Sequence, residues 1–284
     1  MKVLVTGYSG QLGYDVVREG KARGYEMYGT SSLDLDIRDK YGVYTYVEML
    51  KPNVIIHCAA YTAVDKAEDD QEACYEINVV GTRYLAEIAK EIGAKFVYIS
   101  TDYVFDGKGN EPFTEKDEPN PIGYYGVTKL EGEKVVQTLL KEWFIVRISW
   151  IFGVNGNNFV KTMLSLSETR NELNVVADQM GSPTYTPDLS RLLIDMIATE
   201  SYGIYHASNE GFCSWAEFAK EIFKQAGKRV IVNDITSKEY PTRVERPKNS
   251  KMSKQKLENN GFKKLPSWQD AVGQYLIELE KEVE

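Results

Sequence analysis

Along the first half of the chain, short β-branched apolar runs alternate with longer stretches of helical periodicity. Lys2–Thr6, Glu26–Thr30, Val54–Cys58, Phe96–Ser100 and Ile145–Ser149 read as strands. Leu12–Ala22, Lys40–Leu50, Glu72–Glu91 and Tyr124–Leu140 read as helices between them. Strands alternating with helices imply βαβ units and a parallel sheet. The strand cores Val3-Leu4-Val5, Val54-Ile55-Ile56 and Phe96-Val97-Tyr98-Ile99 are continuous apolar runs, as expected where helices cover both faces. The pattern loosens after Trp150. Residues 151–185 are rich in Gly, Asn and Pro, Ser214–Ala226 is an amphipathic helix, Asn233–Ser253 is polar and Pro-punctuated, and Trp268–Glu282 is a final helix. The prediction is an α/β chain: a doubly wound unit over 1–150, joined by part of 186–207, and a smaller discontinuous region over 151–185 and 208–284.

Composition narrows the function. Of 284 residues 43% are hydrophobic and 27% charged, which excludes a disordered chain. Lys and Arg number 34 against 42 Asp and Glu, a net charge of −8. That balance disfavours a nucleic-acid or anionic-membrane partner. Cys58, Cys74 and Cys213 form no CxxC pair and are odd in number, the usage of a reduced cytoplasmic protein. No run approaches the ~18 apolar residues of a membrane helix, and the apolar stretch after Met1 is too short for a signal peptide. His57 and His206 are the only histidines. A His-rich metal site is excluded, and no metal-ligand spacing is visible, so no catalytic metal is expected.

The first strand runs into Gly7-Tyr8-Ser9-Gly10-Gln11-Leu12-Gly13 and then a helix. A tight turn, a backbone close to phosphate and close helix–strand packing each call for glycine. The helix N-terminus then offers free N–H groups to a pyrophosphate. The spacing is GxxGxxG rather than GxGxxG, but its place after strand one makes it a dinucleotide-binding turn of Rossmann type, with Gly7, Gly10, Gln11, Leu12 and Gly13 at the cofactor. No GxxxxGK[ST] occurs, and Gln11 stands where a GxSxG nucleophile elbow needs glycine. The second strand ends Gly29-Thr30-Ser31-Ser32, without the acidic residue that would bond the 2′-OH of NADH. Thr30 is therefore expected at the adenosine ribose, with NADPH preferred and NADH also usable. Asp36 and Ile37 read either as adenine contacts or as a helix start before Arg38.

Tyr125 and Lys129, four residues apart, share a face of a predicted helix. A phenol is a poor acid at pH 7, and a nearby ammonium favours the phenolate. Such a pair can protonate a carbonyl oxygen as hydride reaches its carbon, and the lysine can bind ribose hydroxyls. A solvated helix face is the competing reading. Tyr124 is an adjacent competitor, about 100° away around the helix. Upstream, Ser100-Thr101-Asp102-Tyr103 closes the fourth strand, at the carboxyl end where open α/β sheets bind ligands.

Taken together, these blocks resemble the dTDP-4-dehydrorhamnose reductase family of extended short-chain dehydrogenases/reductases. The resemblance is carried by Thr6–Gly13, Ala59-Ala60-Tyr61-Thr62-Ala63-Val64-Asp65-Lys66-Ala67-Glu68, Ser100–Gly107, Tyr125–Glu133, Arg147–Trp150, Gly156–Phe159, Asp178–Thr184 and Arg246–Ser250. It implies reduction of the 4-keto group of dTDP-4-dehydro-β-L-rhamnose by NAD(P)H. By position it implies Tyr125 as proton donor, Lys129 on the ribose, and Thr101 completing the catalytic set. Ala59, Ala60 and Thr62 would line the cofactor, and Asp102, Tyr103 and Trp150 the substrate. Trp150 also reads as a core residue, Asn78 as a buried hydrogen-bonder, and Arg243 and Arg246 either as diphosphate contacts or as a solvated loop. A homodimer, and a non-catalytic Mg²⁺ helping assembly, are left open. Other nucleotide-sugar reductases, epimerases or dehydratases, and a non-catalytic regulatory subunit of the same fold, are the alternatives. Thr101 lacks the second acidic neighbour a dehydratase needs, and the intact Thr101, Tyr125 and Lys129 set argues against a regulatory subunit.

Overall fold

The computed structural model describes residues 1–283. The chain runs β1 (Lys2–Thr6), α1 (Gln11–Ala22), β2 (Glu26–Thr30), α2 (Lys40–Leu50), β3 (Val54–His57), α3 (Gln71–Tyr75), α4 (Thr82–Ile92), β4 (Lys95–Thr101), α5 (Tyr124–Leu139) and β5 (Trp143–Ile148). It continues through β6 (Ile151–Phe152), α6 (Phe159–Ser167), β7 (Glu172–Val176), β8 (Met180–Gly181), β9 (Thr184–Tyr185), α7 (Thr186–Ile197), β10 (Gly203–His206), β11 (Cys213–Ser214), α8 (Trp215–Gln225), β12 (Ile231–Ile235), α9 (Gln255–Asn259) and α10 (Trp268–Val283).

The main sheet is six-stranded, in the order β10-β5-β4-β3-β1-β2, and every pairing is parallel. Side chains alternate across it. Val3 and Val5 face α1 and α7, packing with Leu12, Val16, Leu189 and Leu193. Leu4 and Ile55 face α2, α4 and α5, with Val43, Leu85, Ile88 and Val136. The doubly wound prediction holds. Where one helix is predicted over Glu72–Glu91, a π-helical segment, Glu76–Gly81, separates α3 from α4. Side-chain bonds made by Asn78 stitch it to the neighbouring loop, and Ile37 fills the space that a Cβ on Gly81 would need. Such insertions in helices recur at functional sites.

A third core, with Phe152, Val160, Phe218, Trp268 and Tyr275, holds the smaller layer. There β6 pairs with β9, β7 with β12 and β8 with β11. The elements between β5 and α8 escape the sequence patterns, among them α6, capped by Asn158 accepting from the Lys161 amide at 3.0 Å, as does β12 at the head of the polar stretch. Residues 255–265 differ from the predicted boundary. Leu257, Phe262 and Leu265 return to the main-sheet core beside β10 rather than to the smaller layer.

Candidate active site

β1 ends at Thr6 and the chain turns through Gly7 at φ +73°. A Cβ on Gly7 would come within 2.6 Å of the Ala59 nitrogen, and one on Gly13 would collide with the Gly7 carbonyl. The turn, the end of β3 and the start of α1 are thus packed as closely as backbone allows, which leaves a cradle for a diphosphate at the α1 N-terminus. The Gln11 side chain points elsewhere: its Oε1 accepts from the Gly153 amide at 2.9 Å and from Asn158 Nδ2 at 3.1 Å. Asn155 donates to the carbonyls of Ser9 and Gly10, so the smaller layer is tied to the turn.

From this turn a single cleft of about 820 Å³ runs across the carboxyl end of the sheet. Its walls include Gly7, Gly10, Gln11, Leu12, Gly13, Asp36, Ile37, Ala59, Ala60 and Thr62 on one side. Thr101, Asp102, Tyr103, Tyr125, Lys129 and Trp150 stand on the other. Thr30 is not in the wall. It is the last residue of a sheet strand, 2% exposed, and its carbonyl accepts from the Tyr8 amide at 3.0 Å. Ser31 and Ser32 reach the cleft in its place, together with Arg38. Arg38 grips Asp36 bidentately, Nε to Oδ1 at 2.9 Å and Nη2 to Oδ2 at 2.7 Å. The cap of α2 is Asp39, not Asp36. Sequence reasoning passed over Arg38; its signal is a cation two residues beyond Asp36, just past the second strand.

The opposite wall is buried. Tyr125 and Lys129 form the inner face of α5. The Tyr125 phenol stands beside Thr101 on the wall of the cleft. The Thr101 hydroxyl donates to Asp102 Oδ1 at 3.0 Å and accepts from the Tyr103 amide at 3.2 Å. The Tyr103 ring meets Tyr125 edge-on at 5.7 Å. Lys129 Nζ lies 4.1 Å over the Tyr98 ring.

Burial pushes the Tyr125 phenol above its ordinary value, only partly opposed by the Thr101 side chain. That reverses the lowering expected from the lysine alone, and it suits a group that must hold a proton until it is needed. Burial pushes Lys129 down to about 7, against the pull of Glu133. Asp102 rises to about 6 through burial, opposed by bonds from Ser250 and Thr101.

Trp150 packs against the core of the smaller layer and reaches the cleft. It stacks on Trp215 at 3.7 Å and also lines the cleft, with a left-handed backbone at φ 47°. A strained non-glycine residue of this kind is characteristic of functional sites. Asn78 accepts from the Tyr61 amide at 2.9 Å and donates to Thr128 Oγ1 at 3.0 Å, linking the loop after β3 to α5. Arg243 and Arg246 are paired with Asp69 and Asp65 of that same loop.

The family model of the RmlD substrate binding domain matches residues 1–281. The chain belongs to that family. It is 42% identical to a dTDP-4-dehydrorhamnose reductase of Aggregatibacter actinomycetemcomitans, over 95% of this chain and 97% of the relative. The solved dTDP-4-dehydrorhamnose reductase of Clostridium acetobutylicum superposes with a TM-score of 0.96 at 44% identity, covering 99% of this chain and 100% of that one. The Bacillus anthracis dTDP-4-dehydrorhamnose reductase, solved in complex with NADP, gives 0.95 at 45% identity, covering 98% and 99%. Among the described residues no helix is long and apolar enough to cross a membrane.

Proposed function

We propose that this protein reduces the 4-keto group of dTDP-4-dehydro-β-L-rhamnose to give dTDP-β-L-rhamnose. The observation that carries the reading is the convergence of Thr101, Tyr125 and, one helical turn on, Lys129 on the wall of a cleft continuous with the glycine turn. A nicotinamide cofactor bound along this cleft would supply hydride to C4. Tyr125 delivers the proton that converts the developing C4 alkoxide into a hydroxyl. Thr101 holds the phenol and then the sugar oxygen. Lys129 binds the nicotinamide ribose, and its charge stabilises the phenolate left behind. Asp102, Tyr103 and Trp150 face the sugar, with Trp150 backed by Trp215 of the smaller layer.

NADPH is the preferred cofactor in this reading, with NADH also used. Gly7, Gly10, Gln11, Leu12 and Gly13 hold the diphosphate through backbone, Ala59, Ala60 and Thr62 line its path, and Asp36 and Ile37 take the adenine. The 2′-phosphate falls to Ser31, Ser32 and Arg38, a guanidinium being suited to bidentate phosphate contacts. The enzyme works in the cytoplasm, and Mg²⁺ takes no part in the hydride step. The 1–150 unit binds cofactor and the smaller region binds the sugar nucleotide.

The test is oxidation of NADPH, and separately NADH, with dTDP-4-dehydro-sugar generated in a coupled reaction, with and without the 3,5-epimerase. Turnover that requires the epimerase is the expected result. Turnover without it would assign a 6-deoxysugar of another configuration. Cofactor binding with no oxidation would favour the regulatory-subunit alternative.

A further inference from the structure

Beneath the catalytic face lies a buried charged cluster that the reaction as described does not use. Glu133 follows Lys129 by four residues on the same face of α5, and it is 0% exposed. Its Oε1 accepts from Ser100 Oγ at 2.5 Å and from Arg147 Nε at 2.8 Å; its Oε2 accepts from Arg147 Nη2 at 2.7 Å. Ser100 immediately precedes Thr101, and Ser100 and Arg147 are direct partners in the β4–β5 register. One carboxylate therefore joins α5, β4 and β5 at the level of the reacting groups. Beyond it Arg147 packs against the Phe105 ring and approaches His206 Nε2 at 3.5 Å.

A desolvated ion pair is a poor device for stability, since well-packed apolar residues often serve as well or better. What distinguishes this one is its neighbour. The groups facing Lys129 are Tyr98 on β4, His57 and Cys58 at the end of β3, Cys74 on α3, and Tyr125 and Glu133 on α5. The phenols and thiols among them are neutral, and burial pushes His57 down to about 3 so that it too is neutral. Glu133 is the anion of this set, and Arg147 is the cation behind it.

We infer that Glu133 is a positioning residue for the reduction: it keeps Lys129 an ammonium and, through Ser100 and Arg147, locks the ends of β4 and β5 against α5. The inference rests on the reductase reading for the role of Lys129. Without the carboxylate's charge, Lys129 loses the anion of its set, and Arg147 keeps only the half-buried Glu115. The guanidinium cannot yield its proton, so the lysine does. The ammonium is lost as pH rises through its folded pKa. Glu133 raises that value, so its removal moves the alkaline limb of activity to lower pH.

The decisive variant is Glu133→Gln, which keeps shape and part of the hydrogen bonding. Its kcat should lose the alkaline limb about one pH unit or more earlier than wild type. The deficit should be about tenfold at pH 8 and about twofold at pH 6. Glu133→Asp should return the limb towards wild type, whereas Ser100→Ala should lower kcat and leave the limb in place. A folded Glu133→Gln enzyme with the wild-type limb would overturn the inference. If that variant does not fold, Glu133→Gln/Arg147→Met removes both charges; an acid-shifted limb supports the inference and an unmoved one overturns it. NADPH affinity followed by nicotinamide fluorescence across the same pH range needs no sugar. It should weaken at lower pH in Glu133→Gln than in wild type, and coincident curves would overturn the inference. Wild-type failure to turn over the dTDP sugar would count against the reaction alone, because the affinity curves report on Glu133 independently.

Discussion

The two ends of the cleft are built on opposite principles. At the reacting end, Thr101, Asp102, Tyr125 and Lys129 are buried and held by strand ends and by one face of a helix. At the adenosine end, Asp36 and Arg38 are 42% and 49% exposed and hold each other. Burial moves proton affinities and fixes geometry; exposure leaves charges hydrated and screened. In the proposed reaction the chemistry would fall where water is excluded, and cofactor discrimination would fall to groups that can rearrange around an incoming phosphate.

The hardest way to break this contrast is to remove the proton at the buried end. Tyr125→Phe should bind NADPH as wild type does and lose about 10²–10⁴ in kcat, the usual worth of a positioned acid. Stopped-flow oxidation of bound NADPH checks it, and a wild-type rate would remove Tyr125 from its role. The glycine turn comes next. Gly13→Ala places a Cβ against the Gly7 carbonyl, so either the turn or α1 must shift. Overpacking of this kind costs about 1–3 kcal/mol. The measurement is a urea midpoint together with NADPH titration. A stable variant with intact affinity would show that the turn has slack.

The buried end should also betray itself in the pH dependence of stability. Asp102, raised by burial to about 6, is an acid whose folded pKa exceeds its unfolded one. The native state therefore holds a proton that the unfolded chain has lost between about pH 3.8 and 6, and stability falls as pH rises through that window. Above it, Asp102→Asn should be more stable than wild type by up to about 3 kcal/mol; below about pH 4 the two should coincide. His57 and His206, both lowered to about 3 by burial, act the other way, and their contribution is lost as pH falls below about 6.5.

How much of this was legible in the sequence follows the same division. The glycine spacing, the Tyr125–Lys129 interval and the block after Ser100 are tied to element ends, so period and position place them. The break in the predicted Glu72–Glu91 helix was not legible, because it depends on Asn78 reaching the backbone of Tyr61. Nor was Thr30, whose strand register with Thr6 turns it into the structure. Thr30→Asp would bury a carboxylate rather than re-tune cofactor choice. Glu133 and Arg147 were visible only as parts of matched blocks; their pairing is a fact of three elements meeting.

The mildest test addresses the exposed end. If Arg38 leaves Asp36 to meet the 2′-phosphate, Arg38→Ala should raise KM for NADPH about five- to tenfold and leave NADH within about twofold. That is about 1–1.4 kcal/mol, small because the guanidinium gives up one anion to gain another. Arg38→Lys should restore little, since a point charge cannot reproduce a bidentate contact. The ionic-strength dependence sharpens the point. Raising salt from about 0.05 to about 0.5 M should weaken NADPH more than NADH in the wild type, because screening reaches exposed charges first. The two cofactors should respond alike in Arg38→Ala. Equal salt responses in the wild type would move the 2′-phosphate away from Arg38 and leave its recognition to the hydroxyls of Ser31 and Ser32.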